Sequence, residues 1–177
     1  ITRKVDKPTF QKKVKDTNDS TGSTTNWQDS ADYDVNDEVP FQLTATLPAN
    51  EDDFAAYKTY KLVFTDNQSA GLTYPAADGF IVKYGDTVVP STQYTLTLNP
   101  TTTAADSTFT LTINDVKSLK DVNGDAITVA AGGKFTVEYE STLNDKAVIG
   151  STGNPNEAKL QYSNNPNYTG EGANSPT

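Results

Sequence analysis

Three polar side chains fall where alternation along the chain places apolar ones. In Phe10-Gln11-Lys12-Lys13-Val14, Lys12 shares a face with Phe10 and Val14. In Tyr60-Lys61-Leu62-Val63-Phe64-Thr65-Asp66, Asp66 shares a face with Tyr60, Leu62 and Phe64, at the strand's end. In Asn156-Glu157-Ala158-Lys159-Leu160-Gln161-Tyr162, Asn156 shares a face with Ala158, Leu160 and Tyr162. Successive strand residues point to opposite faces, so the alternation predicts a lysine, an aspartate and an asparagine meeting in one core. Burying them unpaired costs several kcal/mol. Desolvation drives an amine's pKa down and a carboxyl's up, so the two move toward neutral forms that can exchange a proton. The sequence has no His and no Cys, which removes disulfides, imidazole or thiolate metal sites, and Ser-His-Asp or Cys-His nucleophile systems.

The elements that must position these groups are strands. Phe41-Gln42-Leu43-Thr44-Ala45-Thr46-Leu47, Tyr94 to Leu98, Phe109 to Ile113 and Phe135 to Tyr139 all alternate apolar with polar residues. Turn clusters separate them: Ala77-Asp78-Gly79, Tyr84-Gly85-Asp86, Asn99-Pro100, Asn123-Gly124-Asp125 and Ala131-Gly132-Gly133. Strands rich in Thr, Val, Tyr and Phe at this spacing predict an all-β antiparallel sandwich. Two short helical turns are expected in loops. One is Glu51 to Tyr57, capped by Asn50 with acids near its positive end, and the other is Asp115 to Lys120. Residues 16–31 read as a polar loop anchored by Trp27.

At 177 residues the chain suits one domain with a sizeable core, expected from about residue 8 to 177 after a linker at 1–7. Lys plus Arg number 14 against 23 Asp plus Glu, for a net charge of -9, which speaks against a nucleic-acid partner. No apolar run approaches the roughly 18 residues of a membrane span, so no membrane insertion is expected. The start at Ile1 and the polar close from Gly170 to Thr177 read as ends cut from something longer. With neither Cys nor Met for oxidants to attack, an extracellular setting is expected, with stabilisation by something other than disulfides.

Four strings carry a resemblance. They are Trp27 to Phe41 (Trp-Gln-Asp-Ser-Ala-Asp-Tyr-Asp-Val-Asn-Asp-Glu-Val-Pro-Phe), Phe64 to Thr73 (Phe-Thr-Asp-Asn-Gln-Ser-Ala-Gly-Leu-Thr), Leu143 to Gly150 (Leu-Asn-Asp-Lys-Ala-Val-Ile-Gly), and, most specific, Gly153 to Pro166 (Gly-Asn-Pro-Asn-Glu-Ala-Lys-Leu-Gln-Tyr-Ser-Asn-Asn-Pro). They resemble the middle, isopeptide-forming (D2-type) domain of sortase-assembled backbone pilins of Gram-positive bacteria, over about Pro8 to Asn167. The resemblance implies an immunoglobulin-like sandwich of the collagen-adhesin A type and a spontaneous Lys-to-Asn amide assisted by an acid. Matched position by position, the lysine falls on Lys12, the acid on Asp66 and the asparagine on Asn156. It implies a structural module of a cell-surface, cell-wall pilus, partnered by neighbouring pilin domains and subunits. Catalysis would be a single self-modification rather than enzymatic turnover, with no cofactor and no metal. The chain has Asn36-Asp37 where the family usually has Gly-Asp, and lacks the Tyr-Pro-Lys pilin motif and the Leu-Pro-x-Thr-Gly sorting signal. The family's domain tends to continue with one more strand, so a final strand is expected to be missing.

Competing readings stand beside these. Lys13 rivals Lys12 in a basic run with Lys4, Lys7 and Lys15; Asn154 rivals Asn156; Asp66 can be a turn residue before Asn67. Asp29, Asp32, Asp34, Asp37 and Glu38 form a solvated loop or, less in keeping with such runs, a cation site. Asp121-Val122-Asn123-Gly124-Asp125 begins like a calcium loop but lacks the closing acid, favouring a turn. Sequons stand at Asn18, Asn67 and Asn167, although the resemblance argues against a eukaryotic secretory route. No spacing picks out a glycosidase carboxylate pair. The alternative function is an adhesin module binding a host protein or glycan, favoured by an exposed aromatic groove near Trp27, Tyr33 and Tyr74.

Overall fold

The computed structural model describes residues 6–14, 35–99, 107–147 and 156–163, with the backbone of 175–176. Trp27, Tyr33, Asn18, Asn154, Asn167 and the acids Asp29, Asp32 and Asp34 lie outside the described residues. The strands are β1 (Thr9–Val14), β2 (Glu38–Thr46), β3 (Leu62–Gln68), β4 (Leu72–Thr73), β5 (Ile81–Tyr84), β6 (Thr87–Val89), β7 (Thr95–Asn99), β8 (Ser107–Ile113), β9 (Lys134–Leu143), β10 (Asn156–Tyr162) and β11 (Ser175–Pro176). They pair antiparallel in two sheets. The first runs β1-β2-β9-β5-β6, with β4 also on β9; the second runs β11-β10-β3-β8-β7. This is the expected all-β, immunoglobulin-like sandwich.

Alternation decides which side of each sheet is dry. Val39, Phe41, Leu43 and Ala45 of β2 and Phe135, Val137 and Tyr139 of β9 face Leu62 and Phe64 of β3 and Phe109, Leu111 and Ile113 of β8, and all are buried. The hairpin of β5 and β6, too short to stand out by period alone, is joined at Gly85, whose φ of 57° suits a residue without a Cβ.

Both expected helical turns form in part. Helix α1 (Glu51–Ala55) starts at Asn50, whose side chain accepts from the Asp53 backbone N–H at 3.0 Å. At its other end the Lys117 ammonium donates to the carbonyls of Phe54, at 2.7 Å, and Tyr57. The second turn is the tighter 3₁₀ form over Val116–Ser118, with Asp115 accepting from the Lys117 N–H. Asp121 Oδ1 accepts from the backbone N–H groups of Asn123, at 2.8 Å, and Asp125, at 3.0 Å, so this calcium-like string is a turn.

Candidate functional site

Asp66 lies inside β3, two residues short of its end, because the alternating face continues through Gln68. It is fully buried, opposite Ala158 of β10 on one side and Phe109 of β8 on the other. Its oxygens accept two phenolic hydrogen bonds: Oδ1 from Tyr74 at 2.6 Å, and Oδ2 at 2.8 Å from Tyr139, on the opposite sheet. Burial pushes the Asp66 carboxyl up to about 6, against the pull of the Tyr74 and Tyr139 hydrogen bonds and the Lys12 charge. Burial and the neighbouring Asp66 charge likewise raise both phenols.

Lys12 pairs across β1 and β2 with Leu43, which is fully buried, whereas Lys13 pairs with Gln42. Directly opposed residues share a face, so Lys12 turns inward, and its Nζ lies 5.1 Å from the centroid of the Phe41 ring. Burial lowers its pKa to about 8, opposed by the charges of Asp66 and Glu157. The amine of the first sheet's edge strand thus senses acids on β3 and β10 of the second sheet.

Asn156 opens β10 directly opposite Gln68. Its Nδ2 donates to the Tyr139 hydroxyl at 3.0 Å, while its Oδ1 is buried without a hydrogen-bond partner. Gln68 Nε2 is buried and unpartnered too, its Oε1 accepting from Ser141 Oγ at 2.9 Å. An orphan acceptor and an orphan donor thus stand on facing residues. Asp66 and Asn156 are connected by a hydrogen-bonded chain through Tyr139: Asn156 Nδ2–H to Tyr139 Oη, and Tyr139 Oη–H to Asp66 Oδ2.

A model of the family described as Gram-positive pilin backbone subunit 2, Cna-B-like domain, matches residues 35–166. The chain belongs to this family of pilin backbone subunits. The matched span includes Asp66 and Asn156 and begins after Lys12. Its description uses the B-type label of the collagen-adhesin folds, where the sequence strings resemble the A type. Among solved structures, this pilin domain is similar to a 35 kDa C-terminal fragment of the major pilin GBS80 of Streptococcus agalactiae, with 23% identity, a TM-score of 0.61, and coverage of 97% of this chain and 54% of that one. It is similar to the pilus backbone RrgB of Streptococcus pneumoniae, with 21% identity, a TM-score of 0.56 and coverage of 91% and 54%. It is similar to the major pilin SpaD of Corynebacterium diphtheriae, with 21% identity, a TM-score of 0.54 and coverage of 90% and 32%. At these identities the likeness is one of fold, and the chain spans about half or less of each structure. No curated protein sequence matches it.

Four side chains of this pilin site escaped the sequence reading: Tyr74, Tyr139, Gln68 and Ser141. Gln68 and Ser141 were one alternation step beyond Asp66 and Tyr139, and Tyr139 read as ordinary core. Tyr74, whose exposure in an aromatic groove would favour the adhesin alternative, is half-buried. The pairing of Leu72 with Leu143 and of Thr73 with Thr142 brings it to Asp66, where it also meets the Asp66 backbone carbonyl at 3.0 Å. Its ring packs edge-on against Phe109 at 5.4 Å.

Proposed function

We propose that the chain is a shaft module of an extracellular Gram-positive pilus, cross-linked internally by an amide between Lys12 and Asn156, with Asp66 as the proton carrier. The observation that carries this is the junction around buried Asp66, where a half-buried lysine of lowered pKa, an aspartic acid of raised pKa and a carboxamide linked to it through Tyr139 come from three strands of two sheets. Neutral Lys12 Nζ adds to Cγ of Asn156 while protonated Asp66 gives its proton to the carbonyl oxygen, and the carboxylate so formed then takes a proton from the attacking nitrogen. The Cγ–Nδ2 bond then breaks and Nδ2 leaves as ammonia with a returned proton, so amine plus carboxamide become a secondary amide plus ammonia. Near-attack positioning of this kind is worth roughly 7–11 kcal/mol of barrier. The bond removes one of the charges that burial penalises and closes a long loop. In the chain-entropy account used for disulfides, a loop on the order of 100 residues is worth roughly 5 kcal/mol.

Membership of the backbone pilin family supports the shaft role. Linkage to neighbouring subunits and placement on the cell wall are part of this proposal. Among the described residues no helix is long and apolar enough to cross a membrane. The test is the intact mass of the folded protein. One ammonia less than the sequence mass is expected, with a proteolytic species joining the Lys12 and Asn156 peptides. A full sequence mass in folded protein would dismiss the cross-link.

A further inference from the structure

Resting on that cross-linking reading, we infer that Tyr139 is a catalytic residue of the reaction, its hydroxyl relaying the proton from Asp66 to the departing nitrogen of Asn156. Both Asp66 oxygens accept from phenols, and the hydrogen-bonded connection from Asp66 to Asn156 runs through Tyr139 Oη, 2.8 Å from Asp66 Oδ2 and 3.0 Å from Asn156 Nδ2. Tyr139 thus touches the atom that must leave. Tyr74 touches Asp66 as closely, at 2.6 Å, but its other partners are the backbone carbonyls of Asp66 and Ser107. Two phenols therefore serve one carboxylate, and one of them reaches the scissile amide.

The step balances without an outside reagent. After Lys12 Nζ has added to Cγ, Asp66 holds the proton lost by Nζ. It passes this proton to Tyr139 Oη while the original Tyr139 hydroxyl proton moves to Nδ2. The Cγ–Nδ2 electron pair goes to nitrogen, the carbonyl reforms as its oxygen returns a proton to Asp66, and ammonia departs. Tyr139 and Asp66 end in the phenol and acid forms in which they began. Tyr139 is held for this work: its ring stacks on Phe80 at 5.3 Å and Phe41 at 5.5 Å and meets Phe109 edge-on at 5.1 Å. The phenol therefore has little freedom to swing away, and the relay is set before Lys12 attacks.

The experiment compares Tyr139→Phe with Tyr74→Phe in the full chain, diluted unlinked from denaturant to pH 7, with ammonia loss timed by intact mass. Each substitution takes one donor from Asp66 and so favours its protonated form, but only Tyr139→Phe breaks the path to Nδ2. Tyr139→Phe is expected to slow ammonia loss by about a hundredfold, the scale of a lost proton-transfer partner, while Tyr74→Phe holds or raises the rate. Equal slowing in both, or a wild-type rate in Tyr139→Phe, would overturn the relay. A second measurement needs no variant: the rate for the wild-type chain in mixtures of light and heavy water. Two protons in flight bend that plot, and a straight line or no isotope effect rejects the relay. If the wild-type chain folds without losing ammonia, the cross-linking reading itself fails, and if Asp66→Ala loses it at the wild-type rate, the role of Asp66 fails with the relay; both outcomes are distinct from a result confined to Tyr139.

Discussion

The rate of cross-linking should follow a flat-topped bell in pH, with its shoulders set by burial. The productive form pairs a neutral Lys12 with a protonated Asp66, yet burial moves their pKa values only to about 8 and about 6, so they have not crossed. At pH 7 about a tenth of the amine is neutral and about a tenth of the acid is protonated, leaving roughly one molecule in a hundred ready to react. Reaching that form costs about 2.7 kcal/mol, which the 7–11 kcal/mol available from positioning can offset. Raising the pH frees the amine as fast as it strips the acid, so the rate should stay within about twofold between pH 6 and 8 and fall about tenfold per unit beyond either shoulder. The charge of Glu157 on β10, which acts on Lys12, and the phenols of Tyr74 and Tyr139, which bond Asp66, help to set where the shoulders lie. The assay is refolding of unlinked chain at a series of pH values, with ammonia loss timed by intact mass. A rate that climbs through pH 8 and stays high would refute the role of Asp66 as an acid, because only the amine would then need to be neutral.

Lys12→Ala and Asn156→Ala should each lower the melting temperature by about 10–20 °C, from a loop term of roughly 5 kcal/mol. The double variant should cost little more than either, and Lys13→Ala, on the outward face, almost nothing; additive losses in calorimetry would remove the shared constraint. In the unlinked Asn156→Ala chain, Asp66 has a raised pKa, so its contribution to stability is whole below about pH 4 and lost as pH rises through about 6. Denaturant melts should show a fall of about 3 kcal/mol across that window, abolished by Asp66→Asn. Lys117→Ala should cost about 1–3 kcal/mol in the same melts, because it strips a charged donor from the Phe54 and Tyr57 carbonyls at the end of α1. Ser141→Ala should cost a similar amount by leaving Gln68 Oε1 buried without its donor.

The inward phase of Lys12, Asp66 and Asn156 was legible because a period of two is a strong constraint: a charged residue in phase with Phe10 and Val14, or with Leu62 and Phe64, must either turn toward the core or break the strand. Strand boundaries were less so. Asp66 read as a strand end because Asn67 looks like a turn, yet pairing with Thr108 and Glu157 carries the strand past it. The phenols that govern Asp66 were hidden for a different reason. Tyr139 is a normal inward aromatic of β9 by pattern, and nothing local says that its hydroxyl meets a carboxylate from the facing sheet. Tyr74 sits in an irregular stretch after a strand of two residues, where alternation has no phase to offer. Which side chains meet across a sandwich depends on how the two sheets are set against each other, and that information is spread over the whole chain.

The positions of β1 and β10 have a temporal consequence. Lys12 stands on the earliest described strand and Asn156 on one that follows most of the sandwich, with Asp66 and Tyr139 between them in sequence. Contacts of such separation close late, after the local hairpins have formed. A chain emerging from a channel in sequence order therefore passes its lysine long before its asparagine, and nothing can react while any part of the sandwich is still in transit. On the proposed cross-link, the lost ammonia would be a mark of completed folding. Chains that arrived misfolded or incomplete would remain openable by proteases, whereas those that closed correctly would be sealed, so the proposed chemistry would sort the shaft's building blocks before assembly.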